Sequence, residues 1–154
     1  MSVGAWRIVK RKYAKNAFTG EGARRFGGRW NSPGVPMVYT AQSQSLAALE
    51  LLVNVASSEL LRHYVVIEVA IDESLIISLD VSDLPRNWRA DPPPRKVRAI
   101  GDAWIAKATS AVMRVPSSVI PAEDNFLLNP RHPDFNQIHI GKPVAFRFDQ
   151  RLSP

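Results

Sequence analysis

Short apolar runs dominate the hydrophobic pattern of the chain, and only two stretches carry apolar residues at helical spacing. Residues 5–10 (AWRIVK) read as a strand, with Trp6, Ile8 and Val9 apolar and Arg7 among them. Residues 15–25 hold Gly20 and Gly22 with little periodicity and read as an extended loop; Gly27 and Gly28 permit a tight turn. After an irregular stretch with Pro33, Gly34 and Pro36, residues 37–40 suit a short buried strand. Residues 64–71 (YVVIEVAI) and 75–79 (LIISL) are strong β signals, and Asp72-Glu73-Ser74 between them predicts a hairpin.

The first helical pattern starts at Ser43 or Ser45 and ends near Ser57. Its apolar residues, Leu46 to Ala56, cover nearly every direction around the axis, leaving Ser43, Glu50, Asn54 and Ser57 on one narrow polar stripe. A helix apolar almost all round is expected to be central and buried. Residues 85–98, with the triple proline Pro92 to Pro94, predict a charged surface loop, and residues 100–110 a second, shorter helix. Strand returns at 111–115, residues 123–135 look irregular, and 138–148 close the chain with a β pattern broken at Gly141 to Pro143. Helices do not alternate with strands as a doubly wound sheet requires, so the expected class is α+β, in one domain over residues 1–154.

Composition narrows the chemistry. There is no cysteine, which excludes disulfides and thiolate catalysis and fits a reducing compartment. No apolar run suits a signal peptide or a membrane span, so a cytoplasmic location is the expectation. A net charge of +6 calls for an anionic partner. The basic residues are dispersed, with few aromatics at stacking intervals, so direct nucleic-acid binding is not expected; a solvated face explains most of them, including Arg95, Lys96 and Arg98. Neither a Gly-x-Gly-x-x-Gly loop nor a Walker loop is present.

Three residues between Gly27 and Glu50 carry most of the candidate chemistry. Arg29, behind two glycines, can meet a pyrophosphate with both arms of its guanidinium, or pair with a surface carboxylate. Tyr39 on a core strand is either a packed aromatic with a satisfied hydroxyl or a ring for stacking on a planar heterocycle, a cationic one gaining ~0.5–2 kcal/mol. Glu50 in an apolar helix is costly unless paired. Either an arginine such as Arg29 or Arg7 neutralises it, or it is held ready to stabilise a developing cation. Ser117 after Pro116 serves a turn or points into a cleft. The histidines, His63, His132 and His139, suggest no catalytic triad, and His132 with Asp134 is too sparse a pair for a metal site, so both are read as loop-fastening residues.

Together, AWRIV, GGRWNSPGVPMVYTAQSQSLAALE, VPSSVIPAEDNFLLNP and HPDF resemble the RES-domain family, toxins of bacterial RES–Xre toxin–antitoxin pairs. The resemblance covers most of the chain, and its most specific element is the spacing of Arg29, Tyr39 and Glu50. It implies an ADP-ribosyltransferase-like split mixed β-structure, here around the buried central helix. It also implies cleavage of the nicotinamide–ribose bond of NAD⁺, by hydrolysis or with inorganic phosphate as co-substrate, or else transfer of ADP-ribose to a protein. Arg29, Tyr39, Glu50 and Ser117 take the positions of the family's site residues, with Ser118 as the neighbouring candidate, and Arg7 and Asn125 match recurrent family positions. Tyr39 would pack the pyridinium ring, Ser117 hydrogen-bond the amide or ribose, and Arg29 hold the pyrophosphate. No metal is implied. The implied partner is an Xre-type antitoxin that covers the cleft, with a homodimer as the assembly and DNA reached only through the antitoxin. A basic nucleic-acid-binding module is the non-enzymatic rival.

Overall fold

A computed structural model describes residues 1–153, so the last residue of the expected domain lies outside the described residues. Strand β1 (Ser2–Lys10) pairs antiparallel along its whole length with β3 (Tyr64–Asp72), from Ser2 opposite Asp72 to Lys10 opposite Tyr64. The other edge of β3 takes β7 (His139–Ile140) and β8 (Val144–Phe146). A second block is built from β2 (Val38–Ala41), β6 (Asp124–Leu128), β5 (Val112–Pro116) and β4 (Ile76–Ser78), with β4 parallel to β5.

The two blocks form one eight-stranded sheet, but their junction is narrow. Only Trp6 on β1 pairs with Ala41 on β2. Beyond that pair the strands part, and the Arg7 side chain occupies the gap, donating to Tyr39 O at 3.0 Å and to Ala17 O at 2.7 Å. The sheet is therefore split where the site lies.

Period-two alternation sorts the side chains to two faces. Ala5, Val38, Val69, Ile71, Val112, Phe126 and Leu128 point to one face, where strands from both blocks close a core as the sheet curls. Trp6, Ile8, Tyr39 and Ala41 point to the other. That face receives both long helices, α2 (Gln44–Leu52) against Ile8, Tyr64 and Val66, and α3 (Arg95–Lys107) against Met113, Val115 and Leu127. The space between the two helices, over the split, is the cleft.

The class is α+β as expected, but four local expectations are corrected. The hairpin at Asp72-Glu73-Ser74 does not form, because both edges of β3 are already occupied. Asp72 Oδ1 accepts from Ser74 N at 2.9 Å, and the chain turns away to place β4 at the far edge of the sheet. The central helix is not buried: Leu46 alone is fully enclosed, while Leu49 is 40% and Val53 63% exposed. Its apolar outer side faces the cleft mouth and solvent instead of a second layer. Residues 21–26 within the expected loop form a short helix α1 (Glu21–Phe26), started by Gly20 at φ 78° and stopped by Gly27 at φ 73°. Residues 124–128, expected to be irregular, are the strand β6, enclosed on both faces and so without alternation to read.

Candidate active site

Helix α2 begins at Ser43, whose Oγ accepts from Leu46 N at 3.1 Å, a cap that fixes the helix direction over β1 and β2. About two turns on, Glu50 projects back onto the sheet. The register puts its partners there. Ala41 on β2 lies opposite Asn125 on β6, and Asn125 lies opposite Val115 on β5, so Asn125 and, two residues beyond Val115, Ser117 point to the α2 face.

Glu50 is held by these two neutral donors. Asn125 Nδ2 donates to Oε1 at 2.7 Å, and Ser117 Oγ donates to Oε2 at 2.8 Å. No arginine or lysine forms an ion pair with it among the described residues. Of the two roles open to Glu50, neutralisation by Arg7 or Arg29 is therefore not what the structure shows. Burial raises its pKa above the usual carboxylate value, opposed by the hydrogen bonds from Ser117 and Asn125 and by the more distant charge of Arg29.

Ser117 has no exposed surface. Its hydroxyl oxygen also accepts from Val119 N and Ile120 N, both at 3.1 Å, which ties Glu50 to the turn after β5. Its hydroxyl proton is thus directed to Glu50. Ser118, its neighbour, lines the cleft. Asn125 is likewise shared, its Nδ2 also donating to Thr40 O at 3.2 Å.

Tyr39 lines the cleft with its ring while its hydroxyl is fully engaged, accepting from Trp30 N at 3.0 Å and donating to Asn31 Oδ1 at 2.6 Å. Burial pushes its pKa well up, so it is a neutral phenol. A Cβ on Gly28 would stand 2.6 Å from that hydroxyl, so this glycine makes room for Tyr39 before it makes room for any ligand. Arg29, on the same turn, donates through Nη1 to Trp88 O and Ala90 O, both at 2.9 Å. Burial lowers its pKa, countered by Asp91, Tyr39 and Glu50.

The cleft measures about 1000 Å³, at the large end of small-molecule sites. Arg7, Arg29, Arg89 and Arg98 line it against Glu50 and Asp91, an excess of two positive charges. None of the four arginines forms an ion pair with a carboxylate among the described residues. Arg7, Arg29 and Arg89 are instead aimed by main-chain carbonyls, Arg89 Nε donating to Ser118 O at 2.8 Å. A carbonyl orients a guanidinium without cancelling its charge. Burial pulls Arg7 down to about 10, which leaves it cationic at neutral pH.

All six sequence-derived residues thus lie in or beside one cleft. Arg98, expected on a solvated face, is in the cleft wall because α3 starts at Arg95, immediately after Pro94, and carries it inward. The signal was the proline run itself, which precedes a helix start as readily as it marks a loop. His132 and Asp134 fasten the loop after β6: His132 Nδ1 accepts from Asp134 N at 3.0 Å, and Nε2 lies 3.1 Å from Ala108 O. No helix among the described residues is long and apolar enough to cross a membrane.

Known proteins resemble this chain in sequence or in fold. A "Toxin Res" of Yersinia enterocolitica is 42% identical over 148 residues, covering 96% of this chain and 97% of that protein. The "Prs ADP-ribosylating toxin" of Sphingobium sp. is 35% identical over 157 residues, covering 99% of this chain and 98% of that protein. Among solved structures, a chain of the M. tuberculosis MbcT–MbcA toxin–antitoxin complex superposes with a TM-score of 0.78 at 21% identity, covering 96% of this chain and 85% of that one, which is a likeness of fold. The family model described as "RES domain" matches residues 5–149, from β1 through β8, and the chain belongs to the RES-domain family.

Proposed function

We propose that the chain is the toxin of a bacterial toxin–antitoxin pair and acts by cleaving the nicotinamide–ribose bond of NAD⁺. The observation that carries this reading is Glu50, a carboxylate at a cleft that four arginines also line, held by Ser117 and Asn125 and paired with no cation among the described residues. When the C1′–N1 bond breaks, its electron pair leaves with nicotinamide, which departs neutral, and positive charge develops on the ribose. A carboxylate fixed beside that carbon stabilises the cation, as in glycoside hydrolysis. The departing base needs no proton, so the chemistry asks for no general acid. The excess of two positive charges matches in size the charge of a diphosphate bridge, and Tyr39, in the cleft lining, would pack the planar base. Ser117 is then a positioning residue and Glu50 the group that faces the reacting carbon.

The nucleophile sets the product. Water gives ADP-ribose, inorganic phosphate gives its 1″-phosphate, and a protein side chain gives an ADP-ribosylated target. Loss of NAD⁺ to water or phosphate is the first reading. The Sphingobium relative's name supports transfer to a protein as the second. Purified protein incubated with NAD⁺, with and without phosphate, tests both: nicotinamide release without a target protein supports the first, and release only in its presence the second. No release under any of these conditions contradicts both.

An acidic Xre-type antitoxin seated over the cleft is the partner this reading requires. The mouth suits it, since Phe26 and Val53 line the cleft yet are strongly exposed. A homodimer completes the proposed assembly, with light scattering of the isolated chain as its check. A basic nucleic-acid-binding module predicts salt-sensitive binding that survives loss of Glu50, and toxicity that does not depend on Glu50 would favour it.

A further inference from the structure

We propose that Arg98 is a phosphate-binding residue of the cleft and forms, with Arg29, a two-armed grip on the diphosphate of the substrate. The proposal rests on the reading of the cleft as an NAD⁺ site. Its first observation is an orphaned donor: Arg98 Nε is shielded from water and has no hydrogen-bond partner among the described residues. Two other buried side-chain atoms share that condition, but each has a charge at hand. Glu59 pairs with Lys10, and Arg114 Nε lies 3.9 Å from Asp124. Arg98 has no such neighbour among the described residues.

The second observation is where Arg98 stands. Helix α3 is pressed onto the turn that carries Arg29. A Cβ on Gly101 would lie 1.7 Å from Trp30 O, so only bare backbone fits there. One residue on, Asp102 accepts from Ser32 N at 2.8 Å and from Ser32 Oγ at 2.6 Å. Arg98 precedes these two by three and four residues and so shares their helix face, toward the Arg29 turn and into the cleft. A guanidinium whose Nε is shielded from water and unpaired, in the wall of a cavity also lined by Arg29, costs stability in the free protein. A ligand with phosphoryl oxygens removes that cost, because the fork geometry matches it.

The shared chemistry is a phosphoryl oxyanion, and two sources supply it: the diphosphate of the dinucleotide or free inorganic phosphate acting as nucleophile. Position favours the first. A nucleophile must reach the ribose carbon beside Glu50 on the α2 wall, whereas Arg98 belongs to the α3 wall with Arg29.

Calorimetric titration with ADP-ribose separates the cases, using wild type, Arg98→Gln and, as a control away from the cleft, Arg25→Gln. Wild type and Arg25→Gln are expected to bind alike, and Arg98→Gln at least about tenfold more weakly, the loss of one charge-assisted hydrogen bond or more. The Tm of Arg98→Gln is expected to be no lower than that of wild type, which a structural arginine would not allow. A second titration uses inorganic phosphate. If Arg98→Gln loses phosphate binding but keeps ADP-ribose binding, the grip belongs to the nucleophile and the proposal is overturned. Unchanged ADP-ribose affinity in Arg98→Gln, no ADP-ribose binding by wild type, or a lowered Tm in the variant overturns it as well. Nicotinamide release is followed in parallel. Arg98-dependent ADP-ribose binding without NAD⁺ cleavage leaves Arg98 standing and removes the NAD⁺ reaction, while cleavage with Arg98-independent binding does the reverse.

Discussion

The Ser117 hydroxyl donates to Glu50 Oε2 at 2.8 Å while exposing none of its own surface. A residue so placed acts through the carboxylate. Ser117→Ala removes a hydrogen bond that favours the charged form, so the Glu50 pKa rises further and the acid limb of the pH–rate profile moves to higher pH. kcat is expected to fall about tenfold, the scale of one hydrogen bond to a charged group, with little change in KM. A large rise in KM at constant kcat would instead mean that Ser117 touches substrate.

The raised Glu50 pKa also has a sign for stability. Its folded value lies above the 4.5 of the free side chain, so the native state holds the proton more tightly than the unfolded chain does. Below 4.5 the group is protonated in both states and costs nothing through ionisation. As pH rises through the folded value, the buried charge forms and destabilises the fold. Thermal melts of wild type and Glu50→Gln across that interval should shift in favour of the variant as pH rises. A constant difference, or one moving the other way, would contradict the burial of the charge.

Tyr39→Phe keeps the ring and removes the hydroxyl, leaving Trp30 N and Asn31 Oδ1 without their partner. The expected loss is about 1–3 kcal/mol in urea unfolding, since buried polar groups are left unsatisfied. Turnover per folded molecule should hold, because the ring remains. A drop in kcat beyond the loss of folded protein would give the hydroxyl a direct part in the chemistry.

Two glycines on helices make opposite predictions. Gly101→Ala drives a methyl into Trp30 O and should cost more than the ~1–3 kcal/mol usual for overpacking, separating α3 from the Arg29 turn. Gly22→Ala meets nothing within 4 Å on α1 and should be neutral or stabilising by up to about 1 kcal/mol. Circular-dichroism melts of the two variants decide it.

What the sequence disclosed depends on where the physical signal lay. Strands with one enclosed face or long β-branched runs, such as β3, announce themselves, and so does the odd carboxylate at Glu50 on an apolar helix. The helix's position did not follow from its apolar surround, because Val53 lines the cleft and Leu49 is exposed, so neither meets a packed layer. β6 was hidden by burial on both faces, and the β3–β4 hairpin was ruled out by strand edges filled from the far end of the chain. The bond between Ser117 and Glu50 joins residues 67 apart, and no local pattern encodes it. Arg98 was masked by the prolines ahead of it, which read as loop until α3 is seen to start at Arg95.

Nicotinamide release from NAD⁺, measured side by side for wild type and a folded Glu50→Gln, tests the central claim most directly. Multiple turnovers by wild type and a fall of about a hundredfold or more in the variant are predicted, the scale of removing a group that stabilises transition-state charge. Equal release by the two proteins, or none by wild type in the absence of antitoxin, would contradict the account.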